Sequence, residues 1–201
     1  MDVTDRLARA AGDGDTAAVA RLLRGGAEVN ALGGDGRSAL DLAVHAGHVE
    51  VVRLLLGAGA DPRQKAGAYG EVTPLCLAAM YGYVAVAELL LDAGAATGAQ
   101  GRLNSPPLVL AATAMERGHP QMVDLLLRRG ADIDGTKRDK TPLEWAAAFG
   151  NVRMVRHLLA RGATPTAKAL SEARAGAERS AEGAEKYALV VSTLHAAGIE
   201  R

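Results

Sequence analysis

The fold this chain predicts is an all-α solenoid of stacked helix-turn-helix units, and three observations predict it. A phrase of two leucines, two variable residues and Gly-Ala returns five times: Leu22–Ala27, Leu55–Ala60, Leu90–Ala95, Leu126–Ala131 and Leu158–Ala163. Its glycines, Gly26, Gly59, Gly94, Gly130 and Gly162, are spaced by 33, 35, 36 and 32 residues. A second glycine lies twelve residues upstream of each, at Gly14, Gly47, Gly82, Gly118 and Gly150. Such a period, with two apolar segments per unit, marks a chain whose units bury their faces only against neighbours.

Taken in order, repeat one opens its first segment at Leu7 and mixes Asp5, Arg6, Arg9 and Arg21 with its apolar positions, as a water-facing terminal unit requires. Repeat two has a short small-residue helix (Leu40, Leu42, Ala43) ended by Gly47. Its second helix carries Val51, Val52, Leu55 and Leu56 on one stripe. The glycines suit the left-handed residue that stops a helix. Repeats three and five start at Thr73-Pro74 and Thr141-Pro142, where Thr caps and Pro occupies a position needing no amide hydrogen. Repeat four starts with Ser105-Pro106-Pro107 and has ten residues from Leu108 to Gly118, against seven elsewhere. Gly33–Gly36 and Asp134-Gly135-Thr136 read as turns between units. A degenerate sixth unit follows, with Tyr187, Val190, Val191 and Leu194 at helical spacing and Gly198 four residues beyond Leu194. Its first helix either runs from about Thr166 to near Gly183, with Ala167, Leu170 and Ala173 facing repeat five, or is broken by Gly176 to leave residues 177–185 as a loop. The expected organisation is one domain, 1–201, with repeats at about 2–34, 35–67, 70–101, 104–135 and 138–165 and a helical cap at 166–201.

These residues resemble the ankyrin-repeat family. The resemblance is carried by Thr-Pro-Leu at 73–75 and 141–143, Ala-Ala at 78–79 and 146–147, Gly47-His48, Gly118-His119, and Gly-Ala-Asp at 59–61 and 130–132. It covers about residues 5–165 plus the cap. It implies antiparallel helix pairs with β-hairpin loops projecting sideways. The family's usual His after Thr-Pro-Leu is missing: Asp41, Cys76, Val109 and Glu144 stand there. Its hydrogen bonding must be supplied otherwise or lost.

Composition narrows the function. The formal charge is zero, so no strong pull toward nucleic acid is expected. Residues 1–101 carry a net −4 and residues 102–161 a net +4, either a solvated surface or a polarity that steers a charged partner. One cysteine, Cys76, excludes an internal disulfide and reads as a packed thiol. No apolar run approaches a membrane span, and the acidic start has no secretory pattern, so a cytoplasmic monomer is expected. The Ala/Gly/Arg-rich usage points to a bacterial source.

No catalytic constellation and no cofactor site emerges. His45 and His48 stand three apart without a Cys or carboxylate placed to complete a zinc site. Asp132-Ile133-Asp134-Gly135 lacks the further ligands of a calcium loop, and Gly33–Gly36 lacks the Gly-Lys-Ser/Thr of a phosphate loop. The resemblance instead implies a non-enzymatic module that binds a partner protein through hairpin tips and first-helix ends lining a concave groove. It also admits an inhibitory or regulatory subunit of one enzyme. Carried over position by position, the partner-binding residues are Leu32, Asp35, Arg37 and His45 in repeat two, and Tyr69, Val72, Met80 and Tyr81 in repeat three. Repeat four adds Arg102, Leu103, Met115, Glu116 and Arg117, and repeat five adds Lys137, Arg138, Lys140 and Phe149. Three of the six aromatics, Tyr69, Tyr81 and Phe149, fall on this face. Trp145 lies one turn before Phe149, at a position expected to pack between helices.

Overall fold

The computed structural model describes residues 2–64, 72–98, 106–114, 117–179 and 183–199. The chain divides into two compact units, Met1–Asn104 and Ser105–Arg201. Among its described residues the first holds three helix pairs: α1 (Val3–Gly12) with α2 (Thr16–Arg24), α3 (Ala39–Ala46) with α4 (Val49–Gly57), and α5 (Pro74–Tyr81) with α6 (Val84–Asp92). First helices stack as α1–α3–α5 and second helices as α2–α4–α6. The second unit repeats the scheme with α7 (Pro107–Thr113) and α8 (Pro120–Arg128), α9 (Pro142–Ala148) and α10 (Val152–Ala160), and α11 (Ala167–Arg179) and α12 (Ala184–Ala196). There α7–α9–α11 stack, and α12 packs on α10.

The recurrent Leu-Leu phrase proves to be a helix stop. Each of its glycines has a positive φ, between 82° and 94°. The amide of the following alanine returns to the carbonyl of the first leucine: Ala27 to Leu22 at 3.1 Å, Ala60 to Leu55 at 3.0 Å, Ala163 to Leu158 at 3.0 Å. This is the six-to-one closure that satisfies carbonyls left over at a helix end. Gly198 (φ 90°) and the Ile199 amide on Leu194 O at 3.3 Å repeat it, which makes the cap a sixth copy. The first leucine of the stop is buried at Leu55, Leu90, Leu126, Leu158 and Leu194, and half-buried at Leu22 in the terminal repeat. Punctuation and core packing therefore share one residue.

The turn between paired helices is just as regular. Asp15 N bonds Ala10 O, His48 N bonds Ala43 O, Tyr83 N bonds Ala78 O and Asn151 N bonds Ala146 O. In repeat four the same bond runs from His119 N to Ala111 O at 2.8 Å, three residues wider. The three extra residues therefore fall between two ends that keep the standard closure. Gly118 is held there at φ 63°, where a Cβ would meet Ala112 O and Met154 Cε at 2.5 Å each.

At helix starts, Thr73 Oγ1 accepts from Cys76 N and Thr141 Oγ1 from Glu144 N, with Pro74 and Pro142 in the first turn. In the cap, α11 runs unbroken through Gly176, which is buried. The alternative of a loop beginning there is set aside as far as Arg179; residues 180–182 lie outside the described residues. The projecting hairpins are slighter than the resemblance implied. Among the described residues the named pairings are two isolated antiparallel bridges, Leu32 with Ser38 and Lys137 with Lys140. Five residues lie between the first pair and two between the second.

Candidate partner-binding site

The residues displacing the family histidine show how first helices are anchored. Ser38 and Asp41 close a capping box at the start of α3. Asp41 Oδ2 accepts from Ser38 N at 2.9 Å and Ser38 Oγ at 2.8 Å, while Oδ1 is buried without a partner. Burial pushes the Asp41 carboxyl above its ordinary range, against the Ser38 hydrogen bonds and the Arg37 charge, which pull it down. Thr141 and Glu144 form the matching box in α9. One methylene longer, Glu144 also reaches the next unit: Oε1 accepts from Thr166 Oγ1 at 2.9 Å, and Lys168 Nζ lies 3.6 Å from Oε2. Cys76 is buried in α5, consistent with a packed thiol. His48 is engaged structurally, its Nε2 lying 3.0 Å from Gly12 O of the preceding repeat.

In the first unit, Leu32 is half exposed beside the hairpin that Gly33 N and Arg37 O close at 2.9 Å. Asp35 Oδ1 accepts from Arg37 N at 3.0 Å, and the tip is tied to α1 by Gly34 N on Asp5 Oδ1 at 3.3 Å. His45 and Tyr81, on adjacent first helices, meet edge to face at 5.4 Å, with Tyr81 Oη 3.4 Å from His45 Nδ1. Tyr81 stacks on Tyr83 at 5.5 Å, and Tyr83 lies over Gly47. Tyr83 was absent from the sequence-derived set, because its place at the start of α6 gave no sign that its ring would turn back toward α5. Met80 and Val72 are half-buried.

In the second unit the structure gathers a denser cluster. The hairpin Lys137–Lys140 turns on two non-glycine residues with left-handed backbone, Arg138 at φ 51° and Asp139 at φ 59°. Glycine is the residue such a turn favours. Asp139→Gly is therefore expected to raise unfolding free energy by about 1 kcal/mol in denaturant titration. Trp145 Nε1 donates to Lys137 O at 3.1 Å, fastening the ring to the hairpin. Phe149 stacks beside Trp145 at 5.8 Å and 20° and is 38% exposed. Lys140 Nζ sits 4.9 Å from the Trp145 ring centre and 2.6 Å from Glu172 Oε1. Between α7, α9 and this hairpin lies a cleft of about 210 Å³ lined by Val109, Thr113, Lys137, Arg138, Trp145 and Phe149.

Lys137, Arg138 and Phe149 are thus brought together with Trp145, Val109 and Thr113, which the sequence reading did not include. Trp145 stands one turn before Phe149, but its ring is half-buried and lines the cleft instead of packing wholly between helices. Arg117 is exposed at the end of the repeat-four turn. Tyr69, Arg102, Leu103, Met115 and Glu116 lie outside the described residues. Among the described residues no group of three or more His, Cys, Asp or Glu is placed to hold a metal ion, and no helix is long and apolar enough to cross a membrane.

The comparisons with known proteins agree with this architecture. A family model described as ankyrin repeats (3 copies) matches residues 7–101 and 75–169. The chain is 36% identical over 132 residues to the ankyrin repeat and KH domain-containing protein mask-1 of Caenorhabditis elegans. It is 40% identical over 113 residues to the ankyrin repeat and KH domain-containing protein 1 of Homo sapiens. These matches cover 65% and 52% of this chain but only 5% and 4% of those proteins. Both relatives are animal proteins, so the bacterial source suggested by composition has no counterpart in them.

Proposed function

Since the chain belongs to the ankyrin-repeat family, whose repeats are in general protein–protein interaction modules, we propose that it is a non-enzymatic module that grips a partner protein. The grip is made by the hairpin tips and first-helix ends. The observation that carries this reading is Phe149, an exposed aromatic held in place by Trp145 beside the Lys137–Lys140 hairpin. Interface energies concentrate in a few aromatic and arginine anchors, and a rigid, pre-formed surface loses little entropy on association. Tyr81, oriented by His45 and Tyr83, supplies a second anchor in the first unit.

Leu32, Asp35, Arg37, Val72 and Met80 join the grip in the first unit and Arg117 joins it in the second. Tyr69, Arg102, Leu103, Met115 and Glu116 belong to it by sequence register. Variation at these turns leaves the stacked leucines and alanines untouched, which separates recognition from stability. The test begins with cross-linking and mass spectrometry to identify the partner, followed by calorimetric titration. Phe149→Ala and Tyr81→Ala should each weaken binding by about 2 kcal/mol with melting temperatures little changed. Wild-type affinity in both variants would refute the assigned face.

A further inference from the structure

We propose that the cleft between α7, α9 and the Lys137–Lys140 hairpin seats an acidic, extended segment of a partner protein that inserts one apolar side chain. The inference rests on the partner-binding reading above and adds the chemistry of the partner. At about 210 Å³ the cleft is smaller than the ~300–1,000 Å³ typical of small-molecule pockets, and its size suits one side chain. Val109 and the two aromatic rings give it apolar walls, and two of its hydrogen-bond donors are already engaged. Val109 is buried, the Thr113 hydroxyl donates to Val109 O at 2.8 Å, and the Trp145 N–H is given to Lys137 O. An apolar group entering there leaves neither of these donors stranded.

Among the described residues the charged groups on the rim are cationic. Lys137 and Arg138 line the cleft, and among the described residues no carboxylate does. Asp139, next to Arg138 in the hairpin, is not among the residues that line the cleft, and two further carboxylates of the second unit are committed elsewhere. Glu144 accepts from Thr141 N and Thr166 Oγ1 with Lys168 close by, and Glu172 pairs with Lys140. Residues 102–161 carry a net +4. Carboxylates flanking the inserted side chain complement this rim and speed encounter. The hairpin keeps Arg138 in left-handed backbone where glycine would be easier, so the exposed guanidinium is retained against a local conformational cost. A nucleic acid would need an aromatic face open for base stacking. Of the two aromatics lining the cleft only Phe149 is exposed, since the Trp145 ring has the Lys140 ammonium near its centre and Phe149 stacked beside it.

Trp145 is the chain's only tryptophan, so its fluorescence reports this cleft directly. The experiment pans a displayed library of random twelve-residue peptides against the full chain. Selected peptides free of tryptophan are then titrated while Trp145 emission is followed. The expected result is a consensus of carboxylates flanking a Leu, Ile or Phe, with affinity falling as salt rises. Arg138→Glu and Phe149→Ala should each weaken binding at least tenfold while circular dichroism and melting stay as in wild type. Enriched peptides without acidic excess, or acidic ones bound equally well by both variants, overturn the inference and leave the partner-binding reading in place. A twelve-nucleotide oligothymidylate that shifts Trp145 emission at lower concentration than the selected peptides overturns it in favour of a nucleic-acid ligand. Enrichment of no peptide at all overturns the inference, while the partner-binding reading stands or falls on the calorimetric titration of the identified partner.

Discussion

Replacing Gly176 with alanine is expected to lower the unfolding free energy by about 3 kcal/mol. The sign is the informative part. On a solvated helix the same change stabilises by about 1 kcal/mol, because alanine loses less backbone entropy. Here the new Cβ would stand 2.3 Å from Tyr187 Cε1, 2.8 Å from Tyr187 Cζ and 2.9 Å from Ala148 O. Tyr187 is buried, with its hydroxyl donating to Ala148 O at 3.3 Å, so the ring cannot move aside without giving up packing and a hydrogen bond. Urea unfolding of wild type, Gly176→Ala, Tyr187→Ala and the double variant measures this. The two changes should be strongly non-additive, since removing the ring removes the clash. A rise in stability for Gly176→Ala alone would mean that α11 and α12 do not approach as described.

The second large effect is a dependence on pH that resides in Asp41. Its carboxyl is wholly buried with Oδ1 unpartnered, and burial raises its pKa; the Ser38 hydrogen bonds, the nearby Arg37 and the like charge of Asp35 adjust the shift without reversing it. The folded state therefore binds this proton more tightly than the unfolded chain does. Asp41's contribution is fully present below the ordinary carboxylate range and is lost as pH rises through the folded-state pKa. Asp41→Asn mimics the protonated form, keeping an oxygen for Ser38. Its stability relative to wild type should grow as pH rises above the ordinary carboxylate range and level off once the folded-state pKa is passed. Every tenfold by which folding raises proton affinity contributes about 1.4 kcal/mol to that gain. A pH-independent difference between the two proteins would show that Asp41 ionises in the fold as freely as in water.

Much of the scaffold was legible because its signals are local. A glycine four residues after a buried leucine, or a Thr-Pro before one, dictates a helix end through backbone conformation alone, and the structure places these residues accordingly. The sixth copy was readable for the same reason. The site was readable only in part. Phe149, Lys137 and Arg138 follow from position in the repeat. The part played by Trp145 depends on a hydrogen bond from its indole to a backbone carbonyl eight residues upstream, which no spacing rule supplies. Gly176 was ambiguous for a related reason. A helical glycine reads equally as a break or as a point of contact, and the arrival of Tyr187 from the following helix decides between them. The missing histidine also resolved in two ways, since Asp41 stays within its own repeat while Glu144 extends to the next.

That one-methylene difference bears on how the second unit yields under load. Glu144 fastens α9 to Thr166 and Lys168 at the root of α11; Lys140 grips Glu172 one turn farther on, and Lys168 also donates to the Asp139 carbonyl. Pulled by its carboxyl end, the chain should release α12 first and then stall until these tethers rupture together. In a force-extension trace they would register as a single tear, so the last unit works as a latch that protects repeat five from unravelling one turn at a time.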